Sequence, residues 1–89
     1  MEEGNVILLV LDEDEKVIVT NLYDYNEEEG GDYFFDDEFP VSLEDAKSYG
    51  NGNKKWNKTL DMFSEYELFE VESDWGECAL IYVGDKKVK

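Results

Sequence analysis

Six apolar residues in succession, Val6, Ile7, Leu8, Leu9, Val10 and Leu11, give the clearest pattern in this chain. A short run rich in β-branched residues with no polar face predicts a strand buried on both sides. Asp12, Glu13, Asp14 and Glu15 follow as a polar turn, and residues 17–23, VIVTNLY, predict a second strand. Together they make an antiparallel hairpin with an acidic tip. Residues 24–39 keep neither a period of 2 nor one of 3.6, and Gly30-Gly31 interrupts them. They read as a long loop, with room for a short strand at 33–35. Loops of that length in small domains are often functional.

Pro40 stops regular structure. Ser42 then stands three residues before Asp45, a partial capping box that predicts a short helix with Ser42 as its N-cap. The helix ends near Gly50, and Gly50, Asn51, Gly52 and Asn53 make a turn. Residues 54–65 stay open between helix and strand. Trp56, Leu60 and Phe63, at i, i+4 and i+7, favour a helix with those side chains on its core face. Next, Tyr66 and Leu68 alternate with acids, and then Phe69 and Val71 alternate on the other parity. That flip predicts a bulge, or the true strand start, between Leu68 and Phe69. Asp74, Trp75 and Gly76 suit a turn, residues 77–83 a last core strand, and residues 86–89 a terminal strand or frayed tail. The expected fold is α+β: one domain over residues 1–89, with a small antiparallel sheet of about four strands and one or two short helices on one face.

Charge changes the picture. Residues 1–38 carry fourteen acids against the single Lys16, whereas the remaining residues carry ten acids against seven Lys. The net charge is −16, concentrated in the first two-fifths. Such charge with low hydrophobicity marks disorder, but 42% hydrophobic and 15% aromatic residues are enough for a folded domain. Self-repulsion of this size opposes folding, and its commonest use is to meet a strongly basic partner.

The chain has no His, Arg or Gln. Without Arg there is no bidentate fork for phosphate, and the net field repels nucleic acids and anionic membranes alike. Without His, the Ser-His and Cys-His nucleophile pairs are absent, and one Cys leaves zinc without its usual ligands. No nucleotide-binding glycine motif occurs. An enzyme is not expected, nor any cofactor or metal. Asp24, Asn26 and Glu28 have the spacing of a calcium-loop start, but Gly30 falls one residue late and position twelve is Phe35. Cys78 reads as a small buried hydrophobe in a reducing compartment. No signal peptide or membrane span is visible, and the Lys-rich, Arg-free bias fits an AT-rich genome, so the expected location is the cytoplasm of a bacterial host cell.

Acids on alternate positions of a strand lie about 6.6 Å apart, comparable to phosphates along one nucleic-acid strand. The candidate partner-binding surface is therefore acidic: the tip residues Asp12, Glu13, Asp14 and Glu15; the loop residues Asp24, Glu27, Glu28, Glu29, Asp32, Asp36, Asp37 and Glu38; and the strand row Glu70, Glu72 and Asp74. Tyr23 and Tyr25 are candidate aromatic anchors, equally open to a core role. Tyr33, Phe34, Phe35 and Phe39 read as core filling before interface.

In size, charge and the acidic blocks at 12–15, 27–29 and 36–38, the chain resembles the small acidic DNA-mimic proteins of phages, among them anti-CRISPR, antirestriction and uracil-DNA glycosylase inhibitor proteins. The resemblance implies competitive occupation of a basic nucleic-acid site, with a nuclease or CRISPR effector as the expected partner. The alternatives are an immunity protein that neutralises a cognate toxin nuclease, or an acidic adaptor whose charge serves solubility alone.

Overall fold

The computed structural model describes residues 3–30, 33–35, 37–71 and 79–87. After a 3-10 turn at Glu3–Asn5 come β1 (Ile7–Leu11), β2 (Val17–Asn21), α1 (Leu22–Glu29), β3 (Pro40–Val41), α2 (Leu43–Ser48), α3 (Lys54–Met62), β4 (Tyr66–Glu70) and β5 (Ala79–Lys87). The strands form one antiparallel sheet in the order β2-β1-β5-β4-β3. The fold is α+β as expected, with five strands rather than about four and three short α-helices among the described residues.

The helices also cover both faces of the sheet instead of one. On one face Leu22 of α1 packs with Val6, Leu8, Val10, Phe69 and Tyr82, joined by the partly buried Tyr25, Tyr33 and Phe35. On the other, Ala46 of α2 and Trp56 and Leu60 of α3 pack with Leu9, Leu11, Leu68, Ile81 and Val83. Two-sided cover explains the apolar run 6–11: alternate residues of β1 enter opposite cores, so neither parity can be polar.

The same cover explains the misplaced bulge. Leu68 and Phe69 are consecutive, both buried, and belong to opposite faces. Nothing flips between them. The register shift lies instead between Tyr66 and Leu68, which pair with Lys87 and Val83. The two extra residues belong to β5, beside Gly84, where an added Cβ would meet Phe69 Cε2 at 3.1 Å. The turn expected at Asp74, Trp75 and Gly76, and Cys78 itself, lie outside the described residues.

The second expected strand is shorter than its pattern, because Leu22 and Tyr23 belong to α1 rather than to β2. The expected loop at 24–39 is likewise helical as far as Glu29. Asn21 makes the switch: its Oδ1 accepts from Asp24 N at 2.8 Å, capping a helix that Gly30 ends with φ of 65°. The helix at Ser42 forms as expected, with Ser42 Oγ accepting from Asp45 N at 3.1 Å. Residues 54–62 resolve to helix, capped by Asn53, whose Oδ1 accepts from Trp56 N at 2.9 Å.

Trp56 joins α2 to α3. It is fully buried, and its Nε1 donates to Ala46 O at 2.9 Å. Gly50 makes room for it: a Cβ there would lie 2.2 Å from Trp56 Cδ1. Overpacking of this kind costs about 1–3 kcal/mol. Gly50→Ala should therefore lower stability by about that amount, read as a lower urea midpoint with unchanged slope in tryptophan-fluorescence unfolding.

Candidate functional site

The hairpin tip is built by one carboxylate and presents three. Asp12 is half-buried, and its Oδ1 accepts from Asp14 N at 2.9 Å and Lys16 N at 2.8 Å. Its backbone accepts from Glu15 N and donates to Lys16 O, each at 3.0 Å. Asp12 thus shapes the turn, and its carboxylate is only half-displayed on the acidic surface. Glu13, Asp14 and Glu15 are exposed. Glu15 sits at φ 63°, the left-handed third position of a three-residue hairpin loop, where glycine is the natural choice. Holding any other residue there costs about 1–2 kcal/mol before the entropy of a glycine is counted.

The second acidic cluster is α1. Asp24 is exposed and reciprocates the cap, accepting from Asn21 Nδ2 at 3.2 Å. Glu27, Glu28 and Glu29 are exposed in its last turn, which holds no basic residue. Acids at the carbonyl end of a helix oppose its dipole by roughly 0.3–1 kcal/mol each at low salt. The helical placement also removes the calcium-loop reading, since Asn26 is committed to Tyr33, donating to its O at 2.6 Å and accepting from its N at 3.0 Å.

Tip and helix lie at the two ends of β2, whose five residues span roughly 17 Å. Other candidate residues do not join them. Asp37 and Glu38 are exposed just before β3, at the far edge of the sheet. Glu70 is exposed on the face that carries α2, where it takes a hydrogen bond from the Tyr49 hydroxyl. Asp32, Asp36, Glu72 and Asp74 lie outside the described residues, so the row expected at 70, 72 and 74 keeps only its first member in view.

The aromatic residues divide as well. Tyr23 is 52% exposed on α1 and can act as an anchor. Tyr25 is half-buried, with its ring centroid 5.8 Å from that of Tyr33, and serves the core. Tyr33 and Phe35 also turn inward, Phe35 making edge contacts with Phe69 and Tyr82 at 5.3 and 5.6 Å. Phe34 and Phe39 do not fill the core. Phe34 is 71% exposed, and its carbonyl accepts from Tyr82 Oη at 2.9 Å. Fixing that carbonyl sends Tyr33 and Phe35 in and Phe34 out. The residue that decides it is 48 positions away, so no local signal reveals it.

A groove of about 390 Å³ runs along the β3 edge, lined by Val41, Leu43, Tyr66, Glu67, Leu68 and Phe69, among others. Its lining is mostly apolar and it lies away from both acidic clusters. No helix among the described residues is long and apolar enough to cross a membrane. Comparison with protein-family models, with curated proteins and with solved structures finds no match.

Partial burial, then the nearby carboxylates of Glu70 and Asp45, push the Tyr49 phenol above its ordinary value of 10.0. A proton held more tightly in the fold stabilises it below the unfolded value, and that contribution disappears as pH rises through the folded one. Tyr49→Phe should thus lose less stability than the parent between about pH 9 and 11, measured as urea midpoints across that range.

Proposed function

We propose that this protein is an acidic nucleic-acid-mimicking inhibitor. It occupies the basic nucleic-acid-binding surface of a bacterial DNA- or RNA-processing enzyme, as a phage protein directed against a host nuclease or CRISPR effector does. The observation that carries this reading is Glu15, a carboxylate kept at φ 63° on an exposed tip. Solubility needs charge somewhere on the surface but has no use for it at a strained position. Strain of this sort marks functional sites. Glu27, Glu28 and Glu29 support the same inference, because they weaken the helix that carries them.

The two clusters at either end of β2 form a charged surface on a rigid hairpin. Pre-placed charge of this kind raises association rates with basic clefts and makes them sensitive to salt. Tyr23, beside the second cluster, supplies apolar contact that charge alone does not.

The test is capture from a lysate of a low-GC bacterium with active defence systems, with and without excess duplex DNA, read by mass spectrometry. A single nucleic-acid enzyme displaced by the DNA is expected. A partner retained despite the DNA would mean an immunity-type contact away from the nucleic-acid site, and scattered proteins lost at moderate salt would leave solubility as the role of the charge.

Glu15→Gly is the sharper probe. Relieving the left-handed strain should raise folding stability by about 0.5–1 kcal/mol, while the captured enzyme binds more weakly. Neutralising Glu13, Asp14 and Glu15 together should weaken that binding by roughly tenfold to a hundredfold at low salt, measured by titration calorimetry.

A further inference from the structure

β2 lies at one end of the sheet, and among the described residues no strand pairs with its outer side. Two hydrogen bonds fix which of its backbone groups face outward. Leu22 N donates to Val6 O at 2.9 Å, and Asp12 N donates to Lys16 O at 3.0 Å. These pairs extend the register in which Leu8 meets Thr20 and Val10 meets Ile18. Bonded and non-bonded pairs alternate along an antiparallel ladder. Thr20 and Ile18 therefore bond to β1, while Val17 and Val19 turn their N–H and C=O groups away from the sheet.

Edges of this kind are usually blunted by Lys, Pro or a bulge inside the strand. β2 has none between Val17 and Asn21, and its register with β1 is unbroken. It exposes apolar side chains as well: Ile18 is 42% and Val19 54% accessible. Acids flank each end, Glu13, Asp14 and Glu15 beyond the exposed Lys16 at one and Asp24 at the other. A second copy fits this edge poorly. Paired either way round, two β2 strands set acid against acid, on chains of net charge −16 each.

We infer that β2 receives an extended segment of the basic partner as a sixth strand, its main chain bonding to Val17 and Val19 and its flanking Lys or Arg residues meeting the two acidic clusters. Strand addition of this sort draws affinity from main-chain bonds and specificity from alternate side chains. The inference rests on the reading of the partner as basic and adds where and how that partner is gripped.

The probe is a synthetic peptide of alternating Val and Thr with two Lys at each end, added to the ¹⁵N-labelled protein at low salt. A second peptide of the same charge carries N-methyl groups on the edge that would face β2. Amide exchange at Val17 and Val19 should slow by about tenfold with the first peptide, while Ile18 and Thr20, already bonded, stay unchanged. The methylated peptide should bind at least about tenfold more weakly. Val19→Pro removes an N–H that the sheet does not use, so it should abolish the protection; the methylated peptide gives the same information should that variant not fold.

If both peptides bind alike and are released alike by salt, strand addition is overturned while the acidic-surface reading stands. If neither binds, strand addition is overturned, and competition by duplex DNA decides the acidic-surface reading separately. Protection that rises with protein concentration in the absence of peptide, together with a dimer in sedimentation, would assign the edge to a second copy and overturn the inference.

Discussion

Burial on both faces of one sheet is the constraint on which this fold depends. A chain carrying −16 repels itself at every stage of compaction. Apolar cover has to outweigh that repulsion, and a domain this small has limited surface to bury. β1 and β5 resolve the conflict by sending alternate residues into two cores. α1 and the 33–35 segment close one core, and α2 and α3 close the other around Trp56. No acid among the described residues is buried, so those of the tip, of α1 and of the later strands and helices interrupt neither core.

That division explains why the strained and dipole-opposed acids are tolerated. Glu15, Glu27, Glu28 and Glu29 each cost the fold something local, yet none touches the packing of β1 against β5. Asp12 shows the opposite use of the same residue type. It accepts two backbone bonds and sets the shape that presents its neighbours. Of four consecutive acids, Asp12 has its carboxylate bonded to the turn's own backbone while Glu13, Asp14 and Glu15 are exposed.

Much of the fold is legible in the sequence where local chemistry and burial agree. The apolar run of β1 and the Ser42 cap of α2 state their elements directly, whereas the Trp56-Leu60 spacing favours the helix α3 but leaves a strand open. α1 is hidden because it buries little: Leu22 goes under and Tyr25 only halfway, while Asn21, its cap, stands at the end of a β-branched run that reads as strand. The shift in β5 is hidden because two-sided burial makes Leu68 and Phe69 look like a change of face. For the candidate site, the acidic blocks are visible in the sequence, but their grouping depends on the sheet order. The strand order puts Asp37 and Glu38 across the sheet from the tip, and the long-range bond from Tyr82 turns Phe34 outward.

The pairing of β1 with β5 also sets the order of events during synthesis. Leu9 meets Ile81, so the inner strand of the acidic hairpin finds its second neighbour only after some seventy further residues have been made. Closing so long a loop is slow, because its entropy is spent before the contacts return anything. Until then the hairpin is two strands with one apolar side bare, a unit too small to persist in water alone. A growing chain halted before β5 would therefore hold every acid of the tip and of α1 but not the rigid surface that displays them. The fold couples the presentation of its charge to completion of its last described strand.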